Sequence, residues 1–161
     1  MEDDHYKLEF EVRDYECDLS GIVNNAVYQN YMEHARHMYL KTRGLDFAAL
    51  EEQGITLVVI RIEMDFLFPL RSGDKFYVGV KPERVSRLRF GFQQDIIRLP
   101  DEKPDLAARV IGTALNAQGR PRLLVEIEEL LAEIPDGSET GKPTRFPVIS
   151  SRLFCRPRFS F

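Results

Sequence analysis

The sequence predicts an α+β fold in which an antiparallel sheet wraps around one long helix. Several short segments alternate apolar and charged residues, which is the period of a strand with one buried face. Only one long segment repeats its apolar residues at helical spacing. In chain order we expect a strand, a turn, the long helix, a short helix and four or five further strands. A single such layer leaves edge strands exposed, and oligomerisation through an edge would protect them.

The strands follow from strict alternation. Residues 6–13, "YKLEFEVR", predict the first strand, and the same pattern returns in 57–68, 75–80 and 88–97. The segment 57–68 is long enough to need a bulge or a bend. Its alternation predicts one shared face formed by Val58, Ile60, Ile62, Met64, Phe66 and Phe68. Residues 108–127 predict a last strand or a pair of strands, with "AQGR" as a hairpin turn.

The long helix is predicted over Ala26–Arg43, with Gly44 suited to the left-handed position just past its end. Its apolar stripe consists of Tyr28, Tyr31, Met32, Ala35, Met38 and Tyr39. A shorter helix is predicted over 46–53, where Asp46 can cap the start. Another short amphipathic helix is predicted over 127–135. One long helix of this length is about 27 Å long and can lie along one sheet.

Composition limits the class of protein. A chain of 161 residues with 43% hydrophobic and 30% charged residues suits one globular domain, which we place at 1–140. Residues 141–161 form a basic, proline-containing tail of unassigned role. The formal net charge of -4 gives no case for a nucleic-acid partner. Cys17 and Cys155 have no metal or redox spacing, and no apolar run suggests a membrane segment, so we expect a cytoplasmic protein.

The turn before the long helix carries the strongest chemical signal. It places Asp18 and Gly21 just ahead of Asn24 and Asn25, either of which can cap the helix. A helix start offers unpaired N–H groups and the positive end of the helix dipole, which favour a developing oxyanion. A carboxylate beside such donors is what hydrolysis of an activated ester needs. The alternative is that Asp18 only forms the turn or caps the helix.

These residues resemble a known signature. The run D-x-x-G-I-V-N-N-x-x-Y-x-x-Y-x-E-x-A-R, from Asp18 to Arg36, is similar to that of the 4-hydroxybenzoyl-CoA thioesterase-like acyl-CoA thioesterases, which adopt the hot-dog fold. The later "FPLRSGDKFYVGV" resembles the second marker of that family. The likeness covers roughly residues 6–130. It implies five or six antiparallel strands curled around the long helix, and homodimers or homotetramers.

The resemblance also implies an activity. Members hydrolyse acyl-CoA thioesters without metal or redox cofactor, using the acid that matches Asp18 and the helix-start amide that matches Asn25. Whether Asp18 is the nucleophile or the general base stays open. Around them the resemblance implies a turn and substrate contacts formed by Gly21, Ile22, Val23, Asn24 and Tyr28. Many relatives have His where this chain has Ile22, and its absence disfavours a dehydratase of the same fold.

The CoA phosphates require local bases in this acidic chain. Two pairs suit that role, Arg87 with Arg89 and Arg120 with Arg122, although solvated strand faces explain them equally well. Their pairing with CoA phosphates would make binding weaker at higher salt.

Other residues that could take part in a site have simpler structural roles. Glu33 suits a helix-surface ion pair with Arg36 or His37. His34 and His37 lack the further ligands of a metal site, and Cys17 suits a small buried residue. The rival function is a non-catalytic module that binds or senses acyl-CoA on the same fold.

Overall fold

A computed structural model describes residues 6–123 and 125–132, and the predicted tail at 141–161 lies outside them. The chain forms five strands and three helices in these ranges. The strands are β1 (Tyr6–Glu11), β2 (Thr56–Phe66), β3 (Lys75–Ser86), β4 (Arg89–Leu99) and β5 (Lys103–Leu115). The helices are α1 (Asn25–Thr42), α2 (Phe47–Glu52) and α3 (Val125–Ala132), and a 3-10 turn covers Asp14–Glu16.

The five strands form one antiparallel sheet in the order β1-β3-β4-β5-β2, so β1 and β2 are its edges. One face of this sheet packs on α1, and the core lies between them. This arrangement confirms the predicted α+β class and the hot-dog fold. None of the described helices has the length and apolar character needed to cross a membrane.

Helix α1 has the predicted extent to within one residue at each end, and Gly44 is left-handed with φ of 82°. Its buried face differs from the predicted stripe in two respects. Met38 is only half-buried, whereas Arg36 and Leu40 are buried. Asp46 caps α2 through its Oδ1, which accepts hydrogen bonds from the N–H groups of Ala48 and Ala49.

The prediction of one continuous apolar face along β2 is wrong. The register of β2 against β5 shifts between Val59 and Arg61, so Ile60 is the extra residue of a bulge. An inserted residue reverses which face the following side chains occupy. Leu57 before the bulge and Met64 after it therefore both pack on the core, while Ile60 is 45% exposed. Phe66 and Phe68, which the alternation also placed on that face, are exposed at 50% and 37%.

The end of the chain follows its prediction in part. The turn after β5 closes through hydrogen bonds between Asn116 and Arg120, but the returning leg makes only an isolated bridge between Pro121 and Leu115. Helix α3 then covers one end of the sheet, where Ile127 and Leu131 are buried.

Asp105, the third residue of β5, carries a buried carboxylate. The side chain of Asp105 has no exposed surface, and neither of its oxygens has a hydrogen-bond partner among the described residues. Its main-chain carbonyl accepts from the N–H groups of Leu67 and Phe68, at 2.9 and 3.2 Å. Burial raises the pKa of the Asp105 carboxyl from its ordinary value of 3.8 to about 6, and Arg98 limits the rise.

We expect the burial of Asp105 to make the free energy of unfolding depend on pH. The dependence should have the opposite sign to that of a carboxylate whose pKa is lowered by a surface ion pair. Between pH 3.8 and about 6 the unfolded chain has lost the Asp105 proton while the folded chain retains it. The free energy of unfolding therefore falls as the pH rises through this window. Across it, Asp105→Asn should gain stability relative to wild type by about 1–3 kcal/mol, measured by urea unfolding at a series of pH values.

Asp65→Asn is the matched control, because Asp65 is an exposed carboxylate on β2. Its stability curve should run parallel to that of wild type. A parallel curve for Asp105→Asn would contradict the buried-acid interpretation.

Candidate active site

The predicted turn is a tight hairpin over residues 17–23. Cys17 and Val23 form an antiparallel bridge that closes it. Within it the Asp18 N–H donates to the Ile22 carbonyl at 2.8 Å, and the Gly21 N–H donates to the Asp18 carbonyl at 3.0 Å. Gly21 has φ of 73°, a left-handed conformation that residues with a Cβ rarely adopt. The glycine is therefore required by the shape of the turn.

The hairpin is fixed to the rest of the fold through its second leg. The Val23 N–H donates to the Leu70 carbonyl at 2.9 Å, and the Asn24 N–H donates to the Glu16 carbonyl at 3.0 Å. Tyr28 is buried, and its hydroxyl accepts from the Leu70 N–H at 3.0 Å. Tyr28 thus supports the segment that holds the hairpin, whatever it contributes to a substrate pocket.

Helix α1 begins immediately after this hairpin. Asn24 is the cap, and its Oδ1 accepts from the Ala26 N–H at 2.9 Å. Asn25 is the first helical residue, and its N–H has no acceptor within the described ranges. An open N–H at the positive end of a helix is suited to bind an oxygen that gains negative charge.

The Asp18 carboxylate is exposed and makes one hydrogen bond. Its Oδ1 accepts from the Ser20 N–H at 2.8 Å, as a turn-forming aspartate does. Its Oδ2 has no partner in the described part of the chain. Leu19 beside it is fully exposed, and Tyr15 is 75% exposed. A loop that combines a carboxylate with exposed apolar side chains is suited to be covered by a ligand or by another subunit.

A cation that the sequence did not single out lies next to this turn. The Arg71 Nη1 atom is 3.9 Å from the position that a Cβ on Gly21 would occupy. Arg71 belongs to the predicted "RSGD" turn, where its own N–H donates to the Asp74 carboxylate. Nothing in the spacing of that turn could show that its guanidinium would reach the Asp18 hairpin.

The four predicted CoA-binding arginines lie at the opposite end of the sheet from Asp18. The Asp18 hairpin follows the end of β1, where Glu11 pairs with Lys75 at the start of β3. The other end of β3 meets the start of β4, and the end of β5 lies on the same side. That far end holds Arg87, Arg89, Arg120 and Arg122, all exposed. Within one chain the structure does not bring them to the carboxylate.

Arg122 also lines a cavity of about 480 Å³ at that far end. The walls include Gln53 at the end of α2, Ile55 just before β2 and Asn116 in the turn after β5. The lining mixes polar and apolar residues, and Arg122 supplies a base that a nucleotide phosphate could contact.

The lesser candidates on α1 have local roles. Glu33 Oε1 lies 3.9 Å from His37 Nε2 on the helix surface, which agrees with the predicted pair. Burial lowers the pKa of His37, although the charge of Glu33 opposes the shift. His34 packs edge-on against the Phe10 ring with centroids 5.9 Å apart. Cys17 is half-buried in the hairpin.

Sequence reasoning missed a cavity beside α1. It has a volume of about 350 Å³ and lies between α1, α2 and strands β2, β4 and β5. Arg36, expected on the helix surface near Glu33, is instead 8% exposed and lines this cavity. Its Nη1 donates to Gln94 Oε1 at 2.9 Å. Apolar residues at helical spacing on both sides of position 36 were the available signal for burial. A charged residue at that position, however, suggests a solvent-exposed side chain.

Comparisons with known proteins identify thioesterases as relatives of this chain. Over 116 residues the chain is 41% identical to the chloroplastic acyl-acyl carrier protein thioesterase ATL3 of Arabidopsis thaliana. It is 38% identical over 116 residues to ATL2 of the same plant. Each alignment covers 72% of this chain, but only 61% of ATL3 and 62% of ATL2. The chain therefore spans about three fifths of the length of these relatives.

A solved structure shares the fold. The crystal structure of a 1,4-dihydroxy-2-naphthoyl-CoA thioesterase from Synechocystis superposes with a TM-score of 0.76, covering 81% of this chain and 97% of that one. At 16% identity this likeness speaks for the fold alone. The family model described as the Thioesterase-like superfamily matches residues 12–147, which include the Asp18 hairpin, α1 and the whole sheet from β2 onward. The chain belongs to the Thioesterase-like superfamily.

Proposed function

We propose that this protein hydrolyses acyl-CoA thioesters to the free acid and CoA, with Asp18 as nucleophile or general base and the Asn25 amide as oxyanion donor. One observation carries the proposal: the open N–H at the start of α1 follows directly on the hairpin that presents the Asp18 carboxylate. Membership of the Thioesterase-like superfamily supports the same reaction class. The free Oδ2 of Asp18 supplies the reacting oxygen.

Two routes use these groups. In the first, Asp18 Oδ2 attacks the thioester carbon, the C–S bond breaks and CoA leaves as a thiolate that takes up a proton. The resulting anhydride is then opened by water. In the second, the carboxylate accepts a proton from water as the water oxygen attacks the same carbon. The C–S bond then breaks, and the departing CoA thiolate takes up that proton. Both routes pass through an oxyanion on the former carbonyl oxygen, which the Asn25 N–H can bind.

The carrier of the acyl group can be CoA or an acyl carrier protein. The two plant relatives are named for acyl carrier protein substrates. Both carriers present the thioester on a phosphopantetheine arm, so the reaction at Asp18 is the same. The arginines and the cavity at Arg122 favour CoA, whose nucleotide phosphates would find bases there.

We further propose that the active unit is a homodimer joined through the β2 edges. Exposed Val59 and Ile60 lie on this edge strand, which is unpaired on one side within the described sheet. Antiparallel pairing of two identical edges reverses their directions, so the Asp18 end of one subunit lies beside the far end of the other. Arginines that are remote from Asp18 within a chain can then serve the partner's site.

We expect Asp18→Asn to lower kcat for acyl-CoA hydrolysis by at least about 100-fold, because the amide can neither attack the thioester nor accept a proton from water. Thiol release over a panel of short, long and aromatic acyl-CoAs measures this. Asp101→Asn, which removes an exposed carboxylate elsewhere, should retain wild-type turnover. Near-normal hydrolysis by Asp18→Asn would remove the proposal. Tight acyl-CoA binding without thiol release by wild type would favour the binding module.

Mixed dimers test whether the arginines act across the interface. We expect the double variant Arg120→Ala/Arg122→Ala to raise KM for acyl-CoA, with a smaller effect at high salt, because phosphate contacts are lost. Co-refolding it with Asp18→Asn creates dimers in which one site has both an intact Asp18 and intact partner arginines. Activity at low substrate should recover to about a quarter of wild type, as expected for random pairing. Arginines that act within their own chain would give no recovery.

A further inference from the structure

The cavity beside α1 has the size of a ligand site. Its volume of about 350 Å³ falls within the range of roughly 300–1,000 Å³ that small-molecule pockets occupy. Most of its wall is apolar and comes from Met32, Leu40, Phe47, Leu57, Val58, Ile62, Phe90, Phe92 and Val110. Such a wall favours a hydrocarbon chain.

Polar side chains also line the cavity, and of Gln29, Glu33, Arg36 and His37 only Arg36 is buried. Arg36 is 8% exposed, and the only hydrogen bond of its guanidinium to the described residues goes to Gln94. A guanidinium carries five N–H donors, so most of them are unused. No carboxylate of the described chain lies within ion-pair distance of Arg36, since Glu33 faces His37 instead. Burial lowers the pKa of Arg36, and the negative charge of Glu33 opposes this shift.

Gln94 holds this arginine in place. Its Oε1 accepts from Arg36 Nη1 at 2.9 Å, and its Nε2 donates to the Met32 carbonyl at 3.0 Å. Gln94 is 3% exposed, so the pair is fixed inside the protein rather than at its rim. A buried cation with unused donors is unfavourable unless an acceptor joins it. Arg36 lines the cavity, so an acceptor atom of a ligand that enters it can reach the guanidinium.

The position of Arg36 along α1 decides which part of a ligand it meets. Asn25 and Arg36 are eleven residues apart, which corresponds to about 16 Å along the helix axis. The cavity wall on α1 begins at Gln29, about one turn beyond the open Asn25 amide, and continues to Leu40. An acyl group whose carbonyl lies at Asn25 would therefore extend along α1, and its far end would approach Arg36.

We propose that the cavity binds the acyl group and that Arg36 selects acyl groups carrying an acceptor oxygen, such as a hydroxyl or a carboxylate, at the end remote from the thioester. This inference rests on the proposed function and names the substrate class of that site. Plain alkyl chains leave the guanidinium donors unpaired, whereas a distal oxygen pairs with them. Arg36 is in this sense a specificity residue for the acyl end.

The test compares acyl-CoAs that differ only at the far end: decanoyl-CoA, ω-hydroxydecanoyl-CoA and the CoA monothioester of decanedioic acid, with the same three forms of the octanoyl and dodecanoyl chains. For at least one chain length, wild type should show kcat/KM at least about 10-fold higher for an oxygenated form than for the plain form. In Arg36→Met, which keeps an unbranched apolar side chain and removes the guanidinium donors, this preference should vanish. Lys41→Met is the matched control on the exposed face of α1 and should keep the wild-type preference.

A second measurement does not depend on hydrolysis. The S-alkyl thioethers of CoA, with and without the ω-hydroxyl group, cannot be cleaved, and calorimetry gives their Kd for wild type and Arg36→Met. Tighter binding of the hydroxylated thioether by wild type alone supports the inference even if no thioester is hydrolysed, an outcome that would overturn only the proposed reaction. Equal or weaker binding and turnover of the oxygenated forms by wild type would overturn the inference, with no variant required to fold.

Discussion

The backbone pairing that closes the hairpin at residues 17–23 is the constraint on which the rest of the structure depends. The bridge between Cys17 and Val23 sets where the chain turns, and the hydrogen bond from Val23 to Leu70 sets where it meets the sheet. Asn24 must then cap α1, and the Asn25 N–H is left open. One backbone arrangement thus determines the direction of the helix and the place where a carboxylate and a donor coexist.

The direction of α1 follows from the same constraint. As a result, the candidate functional groups lie at two opposite ends of the fold. Asp18 and the open amide lie at the start of the helix, while the exposed arginines cluster beyond its end. A substrate with phosphates at one end and a thioester at the other cannot use both within a single chain. In the proposed homodimer, β2 at the edge of the described sheet would pair with a second copy and bring opposite ends together.

Sequence patterns predicted the features that depend on residues close together in the chain. The boundaries of α1, the caps Asn24 and Asp46 and the left-handed Gly44 depend on neighbours within a few residues. Burial of Arg36 could not be predicted in this way, because its partner Gln94 is 58 residues away in sequence. The reversal of faces in β2 was not predicted for a related reason. The alternation indicates that a bulge is needed but not which residue is extra.

Arg36 and Asp105 are buried and form no ion pair with the described residues, but their surroundings differ. The difference separates a proposed binding role from a structural one. Arg36 lines a cavity that a ligand can enter, so its unpaired donors can be satisfied from outside the chain. Asp105 lines none of the described cavities, and its carboxyl can reduce its cost only by keeping its proton. The main-chain carbonyl of Asp105 nevertheless accepts hydrogen bonds from the N–H groups of Leu67 and Phe68. Phe68 lies two residues before Leu70, whose carbonyl accepts from the Val23 N–H. Ionisation of Asp105 is therefore expected to affect the stability of the fold, whereas Arg36 is placed to pair with a ligand in the cavity.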